Sequence, residues 1–265
     1  MSVRLVATDL DGTIIRSDGT ISERTSRALG AAEAAGLAVV LVTGRPPRWM
    51  GEIADATGHT GLAICSNGAI LYDLHTEQVV DSRPISPATM LEVAARLREE
   101  FPGLLFAVEY GSTFAHEPGY EHGWTIGGPE IRVGPPERIL DKPAAKLLAR
   151  HPTWDPDDLL AAAAALLGPA ATVTHSSTSA LLEISAPGVT KASALTELAG
   201  RLGVPAEDVI AFGDMPNDLP MLAWVGHAVA VGNAHPTVLA AADEVTASND
   251  DDGVALVVER LLASS

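Results

Sequence analysis

Apolar positions follow two rhythms along this chain, and the rhythms alternate. Short unbroken apolar stretches, "VRLVATD", "LAVVLVT" and "LAIC", are separated in the first 65 residues by segments with helical spacing. The segment "SERTSRALGAAEAAG" opens on Ser22, suited to accept free N–H groups at a helix start, and closes on Gly36. "PRWMGEIADATG" predicts a second helix, and "AILYD" with "EQVVD" predicts a hairpin. The last third resumes the pattern, with strands in "DVIAFGD", "HAVAVG" and "EVTA". Its helices are predicted in "KASALTELAGRLG", "LPMLAWVG", "HPTVLAAAD" and "DGVALVVERLLA". Strands apolar on both faces, separated by helices, predict a Rossmann-like α/β fold with a parallel sheet covered on both sides.

From about Arg83 to Pro187 the grammar changes. Pro and Gly cluster in "EPGYEHGW" and "GGPEIRVGPPE", and two helices sit among strands that favour local hairpins. "LLFAVEYG" with "STFAHE", and "ATVTHSS" with "SALLEIS", are the candidate pairs. The expectation is a core formed by residues 1–82 and 188–265, interrupted by an inserted α/β domain over 83–187.

The 265 residues include 34 acidic and 17 basic side chains, a formal net charge of −17. So acidic a chain argues against nucleic-acid and anionic-membrane partners, while leaving room for a small anion held by a local cation. Cys65 is the single cysteine, which excludes an internal disulfide and a thiolate zinc site; it reads as a small buried hydrophobe. No apolar run reaches the roughly 18 residues of a spanning helix, and charges break the start of the chain, so a cytoplasmic location is expected.

The chemistry gathers at predicted strand ends. Asp9 and Asp11 flank Leu10 after the first strand, and period-two alternation puts the two carboxylates on one side. Thr43 ends the second strand before "GRPP", Asp214 ends "DVIAFGD" before "MPND", and Lys191 opens a helix directly after the insert. Open α/β sheets bind ligands at this carboxyl edge. Carboxylates of Asp9, Asp11, Asp214 and Asp218 crowded into one crevice repel and call for a cation. Oxygen-only ligands suit a hard divalent ion such as Mg²⁺, which also binds substrate phosphate. A carboxylate facing an ammonium and such an ion could act as a phosphoryl acceptor, with a second carboxylate moving protons.

"DLDGT" (9–13), "VTGR" (42–45), Lys191 and "GDMPND" (213–218), in this order, resemble the four motifs of the haloacid dehalogenase-like (HAD) superfamily. "SNGA" (66–69) after the third strand, together with the insert, resembles its Cof-type subclass IIB, with a C2B cap. The resemblance implies that Asp9 is the nucleophile that becomes phosphorylated and also a metal ligand. It implies that Asp11 is the general acid/base with its backbone carbonyl on Mg²⁺, and that Thr43 bonds the phosphoryl group beside Gly44. Lys191 would bridge nucleophile and phosphoryl oxygens. Asp214 would complete the metal ligands, with Asn217 and Asp218 in support. Arg45, Asn67 and Gly68 would face substrate. The implied activity is a Mg²⁺-dependent phosphatase of small phosphorylated metabolites, as monomer or homodimer. A phosphomutase, or a phosphatase dedicated to one sugar phosphate, is the alternative within enzymes; a phosphate-binding scaffold is the non-catalytic one.

Each of these residues also has a plain structural explanation, such as an Asx turn at Asp9 or a helix cap in "GDMPND"; the joint placement argues for the site. "SNDDDGVALVVE" (248–259) approaches a calcium loop, but Ser248 stands where an Asp should, and Gly253 onward reads as a helix. In the insert, Glu109, His116, Glu117, His122, Trp124, Arg132 and Lys146 are candidate substrate contacts. The loop 116–124 is expected to face the site, and Trp49 is expected to be core.

Overall fold

The protein is described by a computed structural model over residues 3–121 and 131–264. The first strands of the chain are Leu5–Thr8 (β1), Ala38–Val42 (β2), Leu62–Cys65 (β3), Ile70–Asp73 (β4) and Gln78–Ser82 (β5). Leu105–Glu109 (β6), Phe114–His116 (β7), Ile131–Val133 (β8), Lys146–Arg150 (β9), Thr172–Thr174 (β10) and Leu181–Ser185 (β11) follow. Val209–Gly213 (β12), His227–Ala230 (β13) and Glu244–Val245 (β14) close the series.

One sheet has the order β14-β13-β12-β1-β2-β3-β4-β5, parallel from β14 to β3 and ending in the antiparallel pair β4–β5. Residues of β1, β2 and β12 are almost wholly enclosed, as expected for strands covered on both faces. The helix Glu23–Ala34 starts where Ser22 accepts the Thr25 N–H, and Gly36 just beyond its end takes φ +87°.

The second sheet has the order β10-β11-β9-β6-β7-β8 and is antiparallel except for β7–β8. Both expected hairpins of this region form, but β9 lies between them, in a segment where no strand was predicted. Alternation gives this sheet two distinct faces. Phe106, Val108, Leu147, Ala149, Leu182 and Ile184 pack on the helices Pro87–Glu100 and Pro156–Leu167. Glu109, Lys146, Leu148, Leu181 and Glu183 project from the other face and line a chamber above the carboxyl edge of the parallel sheet.

Polar contacts join the two sheets across this chamber. Lys146 Nζ donates to the Gly44 carbonyl at 2.8 Å, Asn67 Nδ2 donates to Glu183 Oε2, and Arg48 pairs with Glu109. On one flank His235 Nε2 lies 3.2 Å from Asp157 Oδ2. Among the described residues no helix is long and apolar enough to cross a membrane.

Candidate active site

The floor of the chamber is built by loops that leave β1, β2 and β12 at their carboxyl ends. Asp9 follows β1 directly and is buried, while Leu10 turns into the core. Gly12 then takes φ +74°, and a Cβ there would collide with Asp214 Oδ2, so glycine lets this turn sit against the β12 loop. Thr13 Oγ1 joins the two loops, at 3.4 Å from Asp9 Oδ2 and 3.2 Å from Asp214 Oδ1.

Lys191 opens the helix Lys191–Arg201, capped by Thr190 in a reciprocal arrangement with Ser193. A cation at a helix N-terminus opposes the helix dipole. Lys191 is fully buried there because its ammonium has two carboxylate partners, Asp9 Oδ1 at 2.6 Å and Asp218 Oδ1 at 2.7 Å. Burial works against its charge, but Asp218 and Asp9 outweigh it and hold the lysine pKa above its ordinary value. Asp218 is spent on this frame: its Oδ2 accepts the N–H groups of Asp214 and Met215, both at 3.1 Å.

Asp9, Asp214 and Asp218 each bring a carboxylate oxygen within 4.8 Å of the others. Burial pushes the Asp9 carboxyl up to about 7; Lys191 pulls it down, and Asp218 and Asp11 add to the rise. Burial, with Asp9 and Asp218 nearby, pushes Asp214 up to about 9. Carboxyls that resist ionisation this strongly, with oxygen-only donors and one lysine among them, fit a hard divalent cation. Asp218 has close partners on both oxygens, whereas the Thr13 hydroxyl reaches Asp9 Oδ2 and Asp214 Oδ1 only at 3.4 and 3.2 Å, longer contacts that leave Asp9 and Asp214 the better placed to hold one.

Asp11 also lines the chamber, but its carboxylate is exposed and gripped by Arg45, at 2.8 and 2.6 Å. Thr43 is enclosed at the end of β2, its Oγ1 accepting the Arg45 N–H at 3.0 Å. Gly44 and Arg45 line the chamber. Ser66 and Asn67 both adopt left-handed backbone after β3, an uncommon conformation that brings Asn67 under the roof. There Asn67 bonds Glu183 and accepts from Asn217 Nδ2 at 3.1 Å.

Several expectations are corrected by this geometry. Gly68 stands away from the chamber; its missing Cβ leaves room for the Thr190 carbonyl, which a side chain would strike. Trp49 lines the chamber rather than the core, because it ends the 3₁₀ turn Pro47–Trp49. Glu117 turns inward to accept from Phe106 N at 2.8 Å and to pair with Arg98, and Arg132 is held by Asp141 and Tyr110. His116 bonds the Glu117 carbonyl at 2.8 Å. The described part of the loop 116–124 therefore does not line the chamber, whereas Glu109 and Lys146 do. His122 and Trp124 lie outside the described residues. The acidic run near Ser248 is engaged locally: Asp250 accepts from Ser17 and Asp252 pairs with Arg16.

Sequence reasoning missed Thr13, Glu183 and Ser176. Glu183 is the one charge in the apolar run "ALLEIS", as Lys146 is in "AAKLLA", and a lone charge inside a buried strand is the signal that could have found it. It is held by Lys146 at 3.2 Å, Ser176 Oγ at 3.0 Å and Asn67. Burial raises its carboxyl pKa, but Lys146 and these hydrogen bonds outweigh that and leave it below the usual value.

Comparison with known proteins gives consistent results. The sequence profile of the family described as haloacid dehalogenase-like hydrolase matches residues 6–258. A Bacillus subtilis 5-amino-6-(5-phospho-D-ribitylamino)uracil phosphatase is 27% identical over 97% of this chain and 95% of its own. A pyridoxal phosphate phosphatase of Escherichia coli is 28% identical over 96% and 97%. The solved structure of a HAD subclass IIB sugar phosphatase shares the fold at a TM-score of 0.81, 23% identical, covering 98% of this chain and 99% of that one.

Proposed function

This chain belongs to the haloacid dehalogenase-like hydrolases and is a phosphoric monoester hydrolase, and on that premise we propose a Mg²⁺-dependent enzyme that acts through a phosphorylated Asp9. The observation that carries the reading is the Lys191 ammonium bridging Asp9 and Asp218 at the bottom of a chamber that Asp9 lines.

A carboxylate oxygen of Asp9 attacks phosphorus, and the bond from phosphorus to the leaving oxygen breaks as Asp11 delivers a proton to that oxygen. Asp11 then takes a proton from water, whose oxygen attacks the phosphoryl group and restores the Asp9 carboxylate. Lys191 spreads positive charge over the nucleophile and the transferring oxygens, and Asp218 keeps it aimed. The Thr43 hydroxyl and the backbone beside Gly44 bind phosphoryl oxygens, and Arg45 orients Asp11. Asp9 and Asp214 would hold Mg²⁺, with Asn217 beside them; when bound it supplies a second positive charge for the phosphate. Residues 83–187 serve as a cap that shields the chamber from bulk water and shapes it around the leaving group. The substrates are small phosphorylated metabolites of sugar or cofactor type.

The test is phosphate release from a panel of sugar, nucleotide and cofactor phosphates, with and without Mg²⁺, beside Asp9→Asn. Turnover that survives Asp9→Asn overturns the nucleophile assignment. An isomeric phosphate formed without net release marks a mutase instead. Asp11→Asn should lose roughly 10²–10⁴-fold in turnover and keep its Mg²⁺ affinity.

A further inference from the structure

We infer that the chamber selects phosphomonoesters whose leaving group is uncharged, hydroxyl-bearing and apolar on one face, and rejects leaving groups that carry a second anion. The inference rests on the phosphatase reading and concerns the part of the substrate that leaves.

Among the described residues, the cations around the chamber are each matched by a carboxylate of the chain itself. Arg45 is held by Asp11, Lys146 by Glu183, and the neighbouring Arg48 by Glu109. Lys191 serves Asp9 and Asp218. Drawing one of the upper three cations fully onto a carboxylate or second phosphate of the leaving group would take it from Asp11, Glu109 or Glu183. For the two glutamates, buried in the roof, that leaves a buried ionised group without its partner, which is strongly unfavourable.

Two positions on the chamber's lining are open acceptors, and the unpartnered donors Nε and Nη2 of the neighbouring Arg48 belong to a residue outside that lining. Asn217 Oδ1 is buried in the wall without a partner, its amide nitrogen being committed to Asn67. Glu183 Oε2 takes a hydrogen bond from Asn67 and, as a carboxylate oxygen, has capacity for another. Both sites ask for donors, which hydroxyl groups supply and anions do not. Among the described lining residues, Trp49, Leu148, Leu181 and Met215 offer a surface for an apolar ring face. The cavity of about 280 Å³ is metabolite-sized, near the lower end of the roughly 300–1,000 Å³ usual for small-molecule pockets. Specificity thus works largely by exclusion.

The experiment compares matched substrates on the full-length enzyme with Mg²⁺: glucose 6-phosphate against 6-phosphogluconate, and fructose 6-phosphate against fructose 1,6-bisphosphate. p-Nitrophenyl phosphate reports activity independent of the pairs. The member of each pair whose leaving group is uncharged should have the higher kcat/KM, on the order of a hundredfold. Ser177→Lys, which adds an unpaired ammonium at the chamber wall, should shrink that ratio at least tenfold. Equal or reversed preference in the wild type overturns the inference while hydrolysis of p-nitrophenyl phosphate leaves the phosphatase reading standing. Absence of hydrolysis with every compound overturns both.

Discussion

Arg45 holds both carboxylate oxygens of Asp11, Nε donating to Oδ2 at 2.8 Å and Nη2 to Oδ1 at 2.6 Å. The pair links the loop after β2 to the loop after β1, and a planar guanidinium fixes the plane of the carboxylate it grips. The Asp11 side chain is 55% exposed, so the bond contributes little to folding, about 0–1 kcal/mol. In the proposed mechanism the pair aims the group that transfers the proton. Arg45→Met should therefore lower kcat by roughly tenfold, a part of what acid/base catalysis contributes, and leave the melting temperature nearly unchanged. Steady-state kinetics beside a thermal melt separates the effects; a lower melting temperature with normal kcat would make the pair a structural one.

Gly12 separates a backbone requirement from a spatial one. Ala at φ +74° costs about 1–2 kcal/mol in backbone strain, and its Cβ would also displace Asp214 Oδ2. Gly19 has φ +84° with nothing within 4 Å of its Cβ position, so Gly19→Ala carries the strain alone. Both variants should lose stability in denaturant titrations, Gly12→Ala the more of the two. Only Gly12→Ala should lose Mg²⁺ affinity by calorimetry. Matching affinities in the two variants would argue against a metal-binding role for Asp214.

The floor of this chamber was legible in the sequence, and the roof was not, for a physical reason. Asp9, Thr43 and Asp214 each end a strand of a parallel sheet, so their convergence follows from strand order alone. On β9 and β11 the chamber face carries Leu148 and Leu181 and the helix-packed face carries Leu147 and Leu182. Apolar residues on both faces erase the alternation that would assign Lys146 and Glu183 to a side. Their pairing is diagonal across an antiparallel register in which Glu183 stands opposite Leu148, and that register depends on β9 lying between two hairpins. Polarity alone also misled: Glu117, in the Gly-rich polar loop, is consumed by the Phe106 N–H and Arg98.

The two carboxylates on Lys191 should respond unequally to neutralisation. Asp9 is buried and pushed toward its neutral form, so Asp9→Asn leaves Lys191 paired with Asp218 and should fold as stably as the wild type without metal, though inactive. Asp218→Asn removes the acceptor shared by Lys191 and by two backbone N–H groups. It should be the more destabilised, by about 3–5 kcal/mol, the scale of breaking a buried ion pair. Urea unfolding of both variants in chelator checks the order, and a greater loss for Asp9→Asn would contradict it.

Glu183 gives the fold a pH dependence that can be isolated by difference. Lys146, with the hydrogen bonds from Asn67 and Ser176, holds its carboxyl below the ordinary 4.5, against the effect of burial. A depressed folded-state pKa means the unfolded chain binds the proton more readily. The stabilisation is therefore fully present above about 4.5 and is lost as pH falls through the folded value. Glu183→Gln removes the charge at every pH and leaves Lys146 buried without its anion, a loss of about 3–5 kcal/mol near neutrality. Other acidic groups titrate alike in both proteins and cancel in the difference. The gap in unfolding free energy between wild type and Glu183→Gln should be constant from pH 8 to about 5 and narrow steadily below 4.5. A gap that stays constant to pH 3 would show that the Glu183 charge contributes nothing to closing the roof over Gly44 and Asn67.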